Sequence, residues 1–225
     1  MAATAKSSAR IDEQIEIRGD GTNFTLAVKG SFDKPGGKGR LTVNLSSQGN
    51  AKTVPLDEVF TESTVYFRMP NEASGDTSWR SIPRDKAESH YLLRSPVNDP
   101  AHVLRQVERM RDVSKAGEEN VNGAPTVHYR GKLNHEMLTL RMAEDRRAKF
   151  TEVRDKIGSD LPSFADVWVD RHGRIVRTRL DCSMGVAGGT ATMNLTDLGK
   201  PVQTQAVPEG AEAVPPNTVG GPLTG

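Results

Sequence analysis

Through the first seventy residues apolar side chains recur at every second position, the period of strands with one dry face. Residues 9–18 set Ile11, Glu13, Ile15 and Ile17 against Asp12, Gln14, Glu16 and Arg18. Gly19-Asp20-Gly21 turns the chain. Phe24, Leu26 and Val28 then share a face opposite Thr25, Ala27 and Lys29. After a loop at Pro35-Gly36-Gly37-Lys38-Gly39, Leu41, Val43 and Leu45 point inward and Thr42, Asn44 and Ser46 outward. Residues 53–60 fit neither period. Residues 63–69 form another strand, with Val65, Phe67 and Met69 against Tyr66 and Arg68, stopped by Pro70. This is a β-meander punctuated by turn residues.

The period changes at Asp99-Pro100, an acceptor at the N-cap followed by proline at the first helical position. Val103, Leu104, Val107 and Met110 share one helical face, and the pattern predicts a helix over 99–115 with Gly117 beyond its end. Asn122-Gly123 is a hairpin signal leading into 126–133, where Val127, Tyr129 and Leu133 oppose His128, Arg130 and Lys132. Residues 138–157 predict a second, charge-laced helix with a thin stripe of Leu138, Met142, Phe150, Val153 and Ile157, ending at Gly158. Residues 161–180 read as a hairpin turned by Asp170-Arg171-His172-Gly173. Its returning strand puts Val176, Thr178 and Leu180 on one face and Ile175, Arg177 and Arg179 on the other. Ala191, Met193 and Leu195 point inward from a last strand. From about Val202 the chain is rich in Pro and Gly and is expected to be extended, then disordered. At least eight strands and two helices make this α+β with one long sheet.

Composition narrows the function more than the fold. Only 35% of the 225 residues are hydrophobic and 5% aromatic, lean for a packed sandwich of this length and suited to a solvated sheet. A net charge of +1 gives no basic field for nucleic acid, and no nucleic-acid partner is expected. A single Cys182 rules out an internal disulfide and argues against a cysteine metal site. No apolar run reaches the roughly 18 residues of a membrane helix. There is no G-x-S-x-G elbow and no phosphate-binding glycine loop followed by Lys-Ser/Thr; His135-Glu136 lacks a second His. No catalytic residue, metal ligand or cofactor is therefore assigned. Arg130, Lys132, Arg174, Arg177 and Arg179 belong to a wet sheet face, with contact to anionic head groups as the functional alternative. The inward apolar residues close an ordinary core or, if the sheet curls, leave a cavity; periodicity does not separate the two.

Four segments in order resemble one family: TVYFRMP (64–70) with Trp79-Arg80-Ser81-Ile82 downstream; Asp99-Pro100 opening a helix with Leu104; GEENVNGAPTVHYRGKL (117–133); and LPSFADVWVDRHGRIVR (161–177), before a closing DLGKPV (197–202). They resemble the LppX/LprG-type lipoproteins of the LolA-like superfamily over roughly residues 9–208. That resemblance implies a strongly curved antiparallel sheet, a half-open β-barrel, with helices on the concave side enclosing an apolar cavity. It divides the chain into a truncated N-terminal tether (1–8), the domain (9–204) and a Pro/Gly-rich tail (205–225). It implies a non-enzymatic, monomeric lipoprotein of the cell envelope that binds acyl chains of a lipid or glycolipid for carriage or export. Attachment to the membrane would run through an N-terminal lipid anchor that the sequence does not contain. A sensor module on the same fold, regulating a protein partner, is the alternative. The cavity would be lined by Phe24, Leu26, Val28, Leu41, Val43, Leu45, Val65, Phe67, Met69, Val103, Leu104, Val107, Val127, Tyr129, Met193 and Leu195.

Overall fold

The computed structural model describes residues 7–19, 22–33, 36–48, 50–69, 75–185, 187–202 and 206–225. The expected turn at Asp20-Gly21, Pro35, the stop at Pro70 and most of the proposed tether lie outside them. The N-terminal meander is β1 (Ser8–Gly19), β2 (Thr22–Asp33), β3 (Lys38–Ser47), β4 (Asn50–Phe60), β5 (Thr64–Arg68) and β6 (Arg80–Pro83). A covering segment with α1 (Pro100–Glu108) leads to β7 (Arg111–Val121) and β8 (Ala124–Lys132). Then come α2 (His135–Leu138), α3 (Glu144–Ile157), β9 (Ser163–Asp170), β10 (Ile175–Met184), β11 (Ala187–Thr196) and the short β12 (Glu212–Ala213). All twelve strands form one sheet in the order β12-β6-β5-β4-β3-β2-β1-β11-β10-β9-β8-β7. Its two meanders meet where β1 pairs antiparallel with β11, Ile15 opposite Ala191. Every pair is antiparallel except β12 with β6. The edges β12 and β7 are not neighbours, so the sheet is open.

The alternation read in the sequence places the core. Ile11 and Ile15, Leu26 and Val28, Leu41 and Val43, Leu56, Val65, Leu180 and Met193 are all at most 2% exposed on one continuous face. Residues 84–110 and α2 cover it, burying Leu93, Val97, Val103, Leu104, Val107, Met137 and Leu138 against the strands. Each such aliphatic side chain contributes about 1.5–3 kcal/mol of burial. The ambiguous 53–60 stretch is β4. Its Pro55 is tolerated because pairing to β5 begins only at Asp57, leaving Pro55 with a single strand neighbour.

Four expectations are corrected. The helix predicted over 99–115 stops at Glu108, and 111–121 is a strand rather than a helical end. The Asn122-Gly123 turn draws that stretch into a hairpin with β8, and the register slips twice, by Asp112 with its positive φ of 52° and near Gly117. The second predicted helix is broken. Asn134 caps α2 by accepting from the Met137 N–H at 3.0 Å, and Arg141 adopts φ 56° before α3 begins. The break exposes the 141–143 backbone to Ser89, which donates to Arg141 O and accepts from Ala143 N–H, both at 2.9 Å.

In the β9–β10 hairpin a bulge sets Ile175 opposite Val169 and Arg177 opposite Trp168. Ile175 therefore enters the main core, while Val176 joins Val121 and Trp168 in a small cluster on the other face. The tail is not disordered where it is described. Glu212–Ala213 adds a strand, and Val219 and Leu223 are buried among the core residues. Sparse hydrophobic residues in a Pro/Gly chain suffice because Arg94, Asn98 and the Val97 N–H hold its carbonyls.

Candidate ligand pocket and buried polar centre

Most of the residues read as cavity lining are packed together. Leu26, Val28, Leu41, Val43, Val65, Phe67, Val103, Leu104, Val107, Met193 and Leu195 are buried in one cluster, with the α1 stripe against the strands. Leu45 and Tyr129 pack half-buried against it, Val127 is half-buried opposite Val169, and Met69 is 40% exposed. Leu45, Phe67 and Met69 line an opening of about 480 Å³ closed on its other side by the tail, including Val219 and Leu223. Phe24 meets Tyr91 edge-on at 5.7 Å, and Tyr91 leads to a different space.

That space is a pocket of about 260 Å³ at the end of the same sheet face. Its floor comes from Ile17 of β1, Cys182 and Met184 of β10, and Ala187, Gly188 and Gly189 of β11. The two glycines leave backbone as floor: a Cβ would stand 2.5 Å from Cys182 O at Gly188 and 2.7 Å from Glu16 O at Gly189. The roof is Tyr91, Leu92 and Leu93 with Phe150 of α3. No side chain of α3 is fully buried, and among them only Phe150 packs against the core. The helix is also tied by Thr151 Oγ1, 3.1 Å from His135 Nε2, and ends at Gly158 with φ 73°. Burial pushes the Cys182 thiol up, which makes it a small apolar wall rather than a nucleophile. The charged residues of the lining are Arg18, Arg146 and Lys149, all cations.

Deeper in the fold lies a polar centre that no motif announced. Arg94 is 2% exposed and donates through Nη2 to Asn98 Oδ1 and, at 3.0 Å, to Leu223 O. Asn98 Nδ2 donates to Glu58 Oε1 and, at 3.0 Å, to Leu223 O. Burial lifts the Glu58 carboxyl to about 8 and that of Glu13 to about 7 against the pull of Arg94, and lowers Arg94 to about 10. Asp99 is pushed up by burial, but Arg84 at 2.8 Å and Arg105 at 3.4 Å outweigh this and hold it below its usual range. Desolvation takes the neighbouring His102 down to about 3. A signal existed for the carboxylates: Glu13 stands in register with Ile11 and Ile15, and Glu58 with Leu56 and Phe60. Nothing local distinguished Arg94 or Asn98.

On the opposite face each predicted basic residue has a local partner. Arg174 pairs with Asp170 at 2.7 Å and Arg130 with Asp166 at 2.8 Å. Arg177 donates to Asn194 at 2.7 Å, Lys132 pairs with Asp112 at 3.0 Å and Arg179 with Asp181 at 3.7 Å. Among the described residues no group of three or more His, Cys, Asp and Glu is placed to hold a metal ion, and no helix is long and apolar enough to cross a membrane.

No family model matches the chain. A Streptomyces griseus protein, described as an uncharacterized 31.2 kDa protein in the rplA-rplJ intergenic region, is 29% identical over 109 residues. The match takes in 47% of this chain and 35% of that protein, so the chain matches about a third of the length of this curated relative. Among solved structures, LprF from Mycobacterium bovis is 14% identical with a TM-score of 0.53, covering 91% of this chain and 90% of its own. The Mycobacterium tuberculosis lipoprotein LppX is 12% identical with a TM-score of 0.49, covering 88% and 89%. The likeness to LprF runs nearly the length of both chains: this protein has the fold of the LppX/LprG-type lipoproteins.

Proposed function

We propose that this protein is a non-enzymatic lipid-binding protein of the cell envelope, taking an acyl chain into the pocket beneath Phe150. The carrying observation is an apolar space whose roof helix packs a single aromatic ring against the core and is otherwise held by the Thr151–His135 contact. The geometry suits uptake: a loosely seated cover can lift without unfolding the sheet. About eight buried methylenes would gain about 6 kcal/mol gross at about 0.8 kcal/mol each. Before the cost of immobilising the ligand, that sets a limit of tens of micromolar on the dissociation constant, with no specific polar contact needed. Longer chains would reach the packed face beyond Phe24 by displacing Tyr91 from it. On this reading the sheet wraps as a half-open barrel around residues 84–110, and an N-terminal lipid anchor holds the domain at the membrane.

The test is a fluorescence titration with N-phenyl-1-naphthylamine, a neutral dye that brightens in apolar sites, displaced by dodecanoate. Phe150→Trp fills the pocket; it should weaken dye binding at least tenfold and leave the melting temperature within a few degrees. No dye uptake by the parent, or uptake indifferent to Phe150→Trp, would overturn the proposal.

A further inference from the structure

The charges around the same pocket carry its chemistry one step further, resting on the lipid-binding reading above. Its lining holds Arg18, Arg146 and Lys149 and no carboxylate. This asymmetry belongs to the site, because the whole chain carries 30 basic and 29 acidic residues. The basic residues of the opposite sheet face pair with neighbours, whereas the side chains of Arg18 and Lys149 have no hydrogen-bond or ion-pair partner among the described residues. Among the described residues the ion-pair partner of Arg146 is the exposed Asp145, at 3.4 Å. Arg146 and Lys149 are one helical turn apart on α3, so they share a side of the helix. Phe150, the ring that enters the pocket, is next to Lys149. Three cationic side chains therefore border an apolar space. The space is small: about 260 Å³ lies below the roughly 300–1,000 Å³ of most small-molecule pockets. It suits one chain rather than several.

We infer that the ligand is a single-chain amphiphile with an anionic head group, a fatty carboxylate or a monoacyl phosphate, whose chain lies on Cys182 and Met184 and whose head sits among Arg18, Arg146 and Lys149. Selection works through sign. A cation at that edge meets like charges, and a zwitterion gains little.

The experiment compares displacement of N-phenyl-1-naphthylamine by three amphiphiles with one twelve-carbon chain: dodecyl phosphate, dodecylphosphocholine and dodecyltrimethylammonium. Dodecyl phosphate should displace the dye at a concentration at least about tenfold lower than the ammonium compound. The ratio should fall severalfold between 50 and 500 mM salt as charge is screened. In Arg146→Gln/Lys149→Gln the ratio should fall towards one; it is taken within each variant, so a change in dye affinity cancels. Inorganic phosphate alone should leave the dye in place. Equal displacement by all three, or displacement by inorganic phosphate, overturns this inference and leaves acyl binding standing. Failure of the dye and all three amphiphiles to bind removes the lipid-binding reading itself.

Discussion

The buried carboxyls make stability depend on pH in an unusual direction. Glu13 and Glu58 titrate at about 7 and about 8 in the folded chain because burial disfavours their charged forms, against 4.5 for a free carboxyl. Between those values the native protein binds protons that the unfolded chain does not, so stability is lost as pH rises through the native values. From pH 6.5 to 8.5 the loss is about 1 kcal/mol from Glu13 and about 2 kcal/mol from Glu58. Asp99 and Asp170, held below their ordinary 3.8, are ionised in both states across the window. His102, at about 3, is neutral in the native chain but half protonated at pH 6.5 when unfolded, so it opposes the fall by about 0.4 kcal/mol, and the lowered His135 acts in the same direction. The Cys182 thiol, pushed up by burial, adds a little to the fall near pH 8.5. Urea unfolding at half-unit steps should show stability falling by about 2 kcal/mol across the window. Glu58→Gln, which keeps an acceptor for Asn98, should cut the fall to less than about 1 kcal/mol. A parent whose stability is flat or rises from pH 6.5 to 8.5 would refute the reasoning.

Two further perturbations separate packed core from adjustable surface. Val107→Trp puts an indole at a fully buried position of α1 and should destabilise the fold by about 1–3 kcal/mol in a thermal or urea melt; an unchanged melt would mean open space beneath α1. Leu223→Asp places a carboxylate in the buried tail, whose backbone already receives Arg94 and Asn98. It should cost at least about 2 kcal/mol and make the 209–225 segment sensitive to limited proteolysis; resistance equal to the parent's would show that the tail is not held there.

The strands were legible because one dry face imposes period two; residues 41–45 display it without interruption, and residues 9–18 with only Glu13 breaking the apolar row. The likeness in fold was legible from the order of four segments, none specific alone. The end of α1 was not. Val103, Leu104, Val107 and Met110 keep a helical period up to the point where pairing with β8 takes over, and that pairing is set by the distant Asn122-Gly123 turn. The Ile175–Val176 exchange of faces is invisible for a similar reason: a bulge adds one residue without changing composition. The tail misled because Pro and Gly signal a lack of regular structure, not a lack of burial. At the pocket, Met184, Cys182 and Phe150 come from separate elements with no shared motif, so only the fold brings them together.

The most direct test of acyl binding is a methyl NMR titration. Met184 lines the pocket, whereas Met193 is fully buried in the packed core beneath the covering segment. With methionine methyls labelled with carbon-13, dodecanoate added below its micellar concentration should shift the Met184 signal saturably and leave Met193 in place. A Met184 signal that stays fixed at saturating dodecanoate would contradict the account.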